Sequence, residues 1–299
     1  MFLDHLYTLF LFTYSDQKTI LFPETIFGLV TSLGGNVLFH QPIPKPSDVL
    51  RRSPLVLGWV YINLLPFNIN NQLQPSGLRE DAINKPWRPL PAGRISDSTA
   101  KRHMLIFYAT AVAASTVLGC LAPCISLLVL GYVYNELGGS DRGPWIRNFI
   151  NGAGFTSFAA GATTVAIGGA HLNYRAYQWF IMIFWVVCTT VQIQDLPDQE
   201  GDRARNRRTV PIVLGDGWSR WTITFPVLLW SLATPAFWGL SVVGALVPTL
   251  IGIVVAVRVI CFRRTGDDRV TFILWNIWMV STYLLPLIKL FGSTGSKYA

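Results

Sequence analysis

Long apolar runs broken by short polar stretches dominate the chain from residue 20 onward. About 20 mainly apolar helical residues cross the hydrocarbon core of a bilayer. On that scale nine spans are expected, at 20–40, 54–73, 104–120, 121–137, 146–167, 176–194, 222–238, 240–262 and 271–291. A tight turn near Pro123 is expected between the third and fourth. The segment before Asp16 is apolar but carries Asp4 and His5, with no basic leader and no small-residue cleavage site. It reads as interfacial rather than as a secretion signal. No repeat and no low-complexity linker divides the chain, so residues 1–299 read as one all-α integral membrane domain.

Composition strengthens this reading. Of the 299 residues, 51% are hydrophobic and 13% charged, with a mean hydropathy of +0.40. A soluble domain carries roughly 25% charged residues, so charge is too scarce here to cover a water-facing surface. Cys120, Cys124, Cys188 and Cys261 fall within or beside the spans without metal-type spacing, and read as packing residues. The net charge of +8 does not point to nucleic acid, because it is distributed by membrane side. With alternating spans, only Lys45, Arg51, Arg52, Arg175, Lys289 and Lys297 fall on the side opposite the N-terminus. The rest lie on the N-terminal side, which the positive-inside rule makes cytosolic. In a eukaryotic cell the endoplasmic reticulum is the expected membrane. The bilayer is the one partner that the composition implies; nothing calls for an obligate protein partner.

Two polar loops interrupt the apolar background, 68–102 after the second span and 192–220 after the sixth, both on the cytosolic side. The second begins Gln194-Asp195-Leu196-Pro197-Asp198 and continues through Glu200 and Asp202 to Arg203, Arg205, Arg207 and Arg208. Asp195, Asp198 and Asp202 stand at i, i+3 and i+7, the spacing of one helical face, with Pro197 as the point where that face can break. Three carboxylates at the end of an apolar span are costly unless a cation neutralises them. Mg²⁺ suits them, since it takes hard oxygen ligands and bridges carboxylates to substrate phosphates. Arginines bind phosphate bidentately; Arg203 is the first such candidate, while Arg207 and Arg208 read as anchors of the positive-inside kind. The first loop offers Asn70, Asn71 and Gln72 as amide ligands, Glu80 and Asp81 as acids, and Lys85, Arg88 and Arg94 as cations spaced by prolines. Acids followed by rigidly spaced cations suit a diphosphate chelated on one side and salt-bridged on the other.

The run Asp81-Ala-Ile-Asn-Lys-Pro-Trp-Arg-Pro-Leu-Pro-Ala-Gly93 resembles the first signature of the UbiA superfamily of intramembrane prenyltransferases, most closely in its chlorophyll-synthase form. The segment from Asp195 to Arg203 resembles the second signature. The resemblance implies a nine-helix bundle, a lipid-facing opening for an isoprenoid tail, and an Mg²⁺-diphosphate cap on the cytosolic side. It places the metal ligands among Asn71, Glu80, Asp81, Asp195, Asp198 and Asp202, with Asp81, Asp195, Asp198 and Asp202 essential to catalysis. The first signature departs from the family pattern: Gln72 follows Asn71, and Pro75, Ser76 and Gly77 stand where a further acid is usual. That altered opening is similar to fungal UbiA-type terpene cyclases, a subgroup that makes bergamotene-type sesquiterpenes and cyathane-type diterpenes.

A cyclase and a prenyltransferase both begin by ionising an isoprenyl diphosphate, here farnesyl or geranylgeranyl diphosphate (C15 or C20). They differ in what captures the cation: the substrate's own alkenes, or an aromatic or lipid acceptor. The cyclase is the reading favoured. A cyclase needs an inert pocket with aromatic faces near cationic carbons. Phe67 and Phe184 are the first candidates by their distance from the polar ends of the spans, with Phe155 one turn deeper than Asn151. Asn148 and Asn151, one turn apart, are candidates to bond the diphosphate or to tie helices, and Gln192 to orient Asp195 one turn on. A transporter would hold its key charges near the bilayer midplane; here the acids gather at one face.

Overall fold

In the computed structural model, which describes residues 2–295, helix is built wherever apolar runs are long enough to bury a face. In chain order the helices are α1 (Phe2–Thr13), α2 (Phe22–Ser32), α3 (Pro46–Arg51), α4 (Ser53–Leu73) and α5 (Pro75–Asn84). Then come α6 (Asp97–Val117), α7 (Leu121–Asn135), α8 (Gly139–Arg142), α9 (Pro144–Ile167), α10 (Tyr174–Thr190) and α11 (Gln199–Arg205). The last four are α12 (Val210–Phe237), α13 (Val242–Cys261), α14 (Thr265–Tyr283) and α15 (Leu285–Gly295). Among the described residues the only extended pairing is an isolated bridge between Phe39 and Leu172. Lys297 lies outside the described residues.

Each expected span overlaps a helix, with differences that local chemistry explains. The first is shorter than expected: a π-helical turn at Gln17–Leu21 leads into α2, which stops at Ser32. The last is divided between α14 and α15 at Leu284, just before Pro286, whose ring and missing N–H do not suit a helix interior. Helix α12 starts twelve residues before the expected 222 and kinks at Gly215, whose φ of 79° suits glycine. By length and composition, Tyr174–Asp195, Val242–Cys261 and Thr265–Gly292 are long and apolar enough to cross a membrane. Outward-facing Val117, Phe225, Val242 and Val243 are more than half exposed, an apolar outer surface suited to lipid.

The two polar loops fold into a cap at one end of the bundle. Helix α5 begins with Pro75 after an extended Gln74, as a residue before proline prefers, and it packs on α11. Gly201 makes that contact close. A Cβ there would lie 2.3 Å from Asn84 Nδ2, and the Gly201 amide donates to Asn84 Oδ1 at 3.2 Å. Asn84 Nδ2 in turn donates to the Asp198 carbonyl at 3.0 Å. The rest of the bundle is packed around Trp59, Trp179, Trp238, Trp275 and Trp278, all nearly or fully buried.

Candidate active site

Helices α4, α7 and α9, with the turn before α2, enclose a cavity of about 1200 Å³ including its open mouth. Its two ends differ in chemistry. Lys85, Arg88, Arg147 and Arg207 line the mouth with Glu80 and Asp198. Leu64, Phe67, Leu127, Leu128, Phe155 and Phe158 line the depth. Asn68, Asn71, Asn151 and Gln194 add amides to the wall. This gradient follows from the helices, whose polar ends meet the cap while their middles stay apolar.

The carboxylates of the cap are held by cations from other elements. Asp81 takes Arg88 Nη1 on both oxygens, at 2.8 and 2.9 Å. Glu80 takes Arg205 Nη1 at 2.9 Å on one oxygen and Arg207 Nη1 at 3.0 Å on the other. Arg207 also reaches Asp202 at 3.2 Å, and Arg205 and Arg207 both meet Asp141. Lys85 Nζ lies 2.8 Å from Asp198 Oδ2. Arg147 Nη2 donates to Asp195 Oδ1 at 2.6 Å, and Arg147 also bonds the Tyr134 hydroxyl. Burial pulls the Glu80 carboxyl up, but Arg207, Lys85 and Arg205 outweigh it and bring it down to about 2. Burial pushes Asp202 up and the nearby Asp195 adds to the rise, to about 7, against the pull of Arg207. Burial also raises Asp81, opposed by Arg88.

Several polar atoms in this network are left without partners. Asp195 Oδ2, Arg88 Nε, Arg147 Nε, Asn151 Nδ2, Asn148 Oδ1 and both amide atoms of Gln72 are buried and unbonded. Such orphans are costly in a dry interior, and here they combine unspent anion donors with an unspent carboxylate oxygen. Among the described residues no three His, Cys, Asp or Glu side chains converge to hold a metal unaided. A Mg²⁺ site does not require that, since one or two carboxylates with waters and substrate phosphates complete its octahedron. The free Oδ2 of Asp195 and the Asp198 carboxylate beside the cavity fit that donor chemistry.

The expected site residues separate into three groups: those lining the cavity, those behind its cations and those outside it. Asn71, Glu80, Lys85, Arg88, Asn151, Phe67, Phe155 and Asp198 all line the cavity. Asp81, Asp195 and Asp202 stand directly behind its cations, each in an ion pair. The single helical face expected for Asp195, Asp198 and Asp202 does not form: a 3₁₀ turn ends at Asp195 and α11 begins at Gln199, with Pro197 in the break. Gln192 does not orient Asp195. It accepts from Asn148 at 3.0 Å and donates to the Thr189 and Thr222 carbonyls, so Asn148 and Gln192 tie helices together. Phe184 does not line the cavity, to which α10 contributes no side chain, and packs on Phe149 and Trp185. Arg94 is exposed over the Tyr7 ring, and Arg203 is exposed beside Gln199.

Arg207, expected to be a surface anchor, is instead buried at the centre of the ion network, because α11 turns it inward at its end. Arg208 is exposed. Arg147 is the most informative residue that the spacing of acids passed over. It sits in the first turn of an apolar helix, where a charge needs a partner, and that cost was the available signal. Asp16 and Tyr134 also line the cavity.

The sequence profile of the UbiA prenyltransferase family matches residues 54–279. The chain is 28% identical over 289 residues to the fumagillin β-trans-bergamotene synthase of Aspergillus fumigatus, covering 95% of this chain and 93% of that protein. It is 28% identical over 282 residues to a diterpene cyclase of Hericium erinaceus, covering 94% of this chain and 85% of that one. Its fold is similar to a solved UbiA homologue from Archaeoglobus fulgidus bound to GPP and Mg²⁺, with a TM-score of 0.60 over 90% of this chain and 98% of that one at 14% identity.

Proposed function

We propose that this chain, which belongs to the UbiA prenyltransferase family of integral membrane enzymes, is a Mg²⁺-dependent terpene cyclase that ionises a C15 or C20 isoprenyl diphosphate and closes the resulting cation on itself. The observation that carries the reading is the two-ended cavity, with a cationic mouth continuous with a leucine- and phenylalanine-lined depth. The similarity to a bergamotene synthase and a diterpene cyclase over most of the chain supports the cyclase branch of the family. Nine helical segments cross the bilayer in this reading, with the cap on the cytosolic side where Lys and Arg concentrate.

Lys85, Arg88, Arg147 and Arg207 surround the diphosphate at the mouth, and the free Nε groups of Arg88 and Arg147 are donors waiting for its oxygens. Asp195 and Asp198 would hold Mg²⁺, with Asp81, Asp202 and Asn71 as further candidate ligands from the two cap segments. Bound there, Mg²⁺ supplies charge that neutralises the leaving diphosphate. As the allylic C–O bond breaks, its electron pair goes to the departing oxygen, and the carbon cation is left between Phe67 and Phe155, on the diphosphate side of the cavity. Their π faces stabilise it, and the leucine walls keep out the water that would quench it. Alkene attack forms the ring bond and moves the charge to the far alkene carbon, and loss of a proton from the adjacent carbon to the released diphosphate gives the hydrocarbon.

The test is to supply the purified protein with Mg²⁺ and C15 or C20 diphosphate, without an acceptor. The expected products are a cyclic hydrocarbon and free diphosphate. Unreacted substrate or a linear alcohol alone would overturn the cyclase reading and point to transfer onto an aromatic or lipid acceptor. Full turnover after chelation would overturn the metal requirement.

A further inference from the structure

We propose that Phe158, buttressed by Trp59, is the depth stop of the cavity and sets the longest isoprenyl chain it accepts, an inference that rests on the isoprenyl diphosphate reading above. Helix α9 supplies one wall from mouth to floor, through Arg147, Asn151, Gly154, Phe155 and Phe158. At 1.5 Å per residue, Arg147 and Phe158 are about 16 Å apart along the axis. Past Phe158 the same helix contributes nothing to the cavity, and Ala159, Ala162, Val165 and Ala166 are buried in solid core. On the opposite wall the deepest lining residue of α4 is Asn63, and the turn beyond it holds Trp59, 1% exposed.

The floor is built rigidly. The Trp59 and Phe158 rings meet edge to face at 6.3 Å and 74°. Trp59 Nε1 donates to Ser115 Oγ at 2.8 Å, which fixes the indole from α6. Gly161 makes room for it, since a Cβ at that position would lie 1.9 Å from the indole Cη2. Phe158 therefore cannot swing down to lengthen the cavity unless Trp59 moves, and Trp59 is bonded and packed in place. Trp59 is a positioning residue; Phe158 is the surface that the deepest part of the folded chain meets.

One turn nearer the mouth, the same wall is bare. Gly154 lines the cavity, and a Cβ placed there meets no atom within 4 Å. A side chain at 154 would grow into the space the substrate occupies and raise the floor by about 6 Å, four residues of helical rise. Positions 154 and 158 thus work in opposite directions on one dimension: enlarging the first shortens the cavity, and trimming the second lengthens it.

The experiment measures kcat/KM for C10, C15 and C20 diphosphates, and the affinities of their unreactive thiodiphosphate analogues, in wild type, Phe158→Ala, Phe158→Leu and Gly154→Leu. Removing or adding a few methylenes of apolar pocket changes discrimination by roughly 10-fold or more. Phe158→Ala is expected to raise the C20-to-C15 ratio by about 10-fold, and Gly154→Leu to raise the C10-to-C15 ratio similarly. The analogues are expected to shift in the same directions, since the stop acts on binding. Ratios unchanged in folded Phe158→Leu and Gly154→Leu, or shifts in one common direction, overturn the depth stop. Should Phe158→Ala fail to fold, the other two variants carry the test. A wild type that turns over no isoprenyl diphosphate, with or without an acceptor, overturns the functional reading itself rather than the stop.

Discussion

The two acidic segments of the cap differ in how much of their charge is already spent. In the first, Glu80 gives one oxygen to Arg205 and the other to Arg207, and Asp81 gives both of its oxygens to Arg88. In the second, Asp195 gives one oxygen to Arg147 and keeps the other buried and bare, while Asp202 shares Arg207 with Glu80. Protonation separates them as well: cations hold Glu80 down at about 2, whereas burial and the neighbouring Asp195 lift Asp202 to about 7. The segment whose motif departs most from the family pattern fastens the cap. Its partner keeps an acceptor and a shortage of positive charge, which a divalent cation would relieve.

The largest effect expected is on folding, from Glu80→Ala. Two buried arginines would lose their shared carboxylate, and breaking a buried pair by removing one partner costs about 3–5 kcal/mol. Thermal unfolding in detergent should show a large drop in midpoint, with Glu80→Gln intermediate because it keeps one acceptor. An unchanged midpoint for Glu80→Ala would mean that the first segment is not the fastening. Next comes Asp195→Asn, which keeps the shape and an acceptor for Arg147 but removes the charge. Turnover should fall by at least about 100-fold, the scale of losing one preorganised electrostatic contact, while the midpoint moves less than for Glu80→Ala. Retained turnover with a collapsed midpoint would reverse the roles of the two segments.

Why this division was only partly legible in sequence follows from where each signal resides. Apolar run length predicts the helices well because each helix buries its own face. It misplaced the end of α2 and missed the break at Leu284, which depend on single turns. The site's inventory was legible because acids and cations beside apolar spans are costly without a role, and Asn71, Lys85, Arg88, Asn151 and Asp198 do meet at one cavity. Pairing was not legible. Nothing in the spacing says that Arg207 turns inward to Glu80 across 127 positions, or that Arg147 rather than Gln192 holds Asp195. Phe184 shows the same limit, since distance along a helix gives depth but the side it faces depends on how neighbours pack. Arg94 and Arg203 belong to the same loops as the site cations, yet the fold leaves them outside.

The smallest expected effect concerns protons, and its sign differs between the segments. Glu80 is held below its ordinary value of 4.5, so its contribution to stability is present above that value and is lost as pH falls through about 2. Asp202 is raised above its ordinary 3.8, so its contribution is complete below that value and is lost as pH rises through about 7. Metal-free protein should therefore lose stability between about pH 4 and 7 through Asp202, over a range in which Glu80 is already ionised. A cation bound near Asp202 must displace its proton below about 7, which makes binding pH-dependent. Thermal stabilisation by Mg²⁺, titrated at a series of pH values, should report an apparent affinity that improves by up to about tenfold per unit toward pH 7 and then levels off. Asp202→Asn should flatten that rise, while Glu80→Gln should keep its slope and move it somewhat to lower pH, because the Glu80 charge is one of those that raise Asp202. A rise that instead follows Glu80, or an Asp202→Asn variant that keeps the full slope, would erase the electrostatic difference between the two segments.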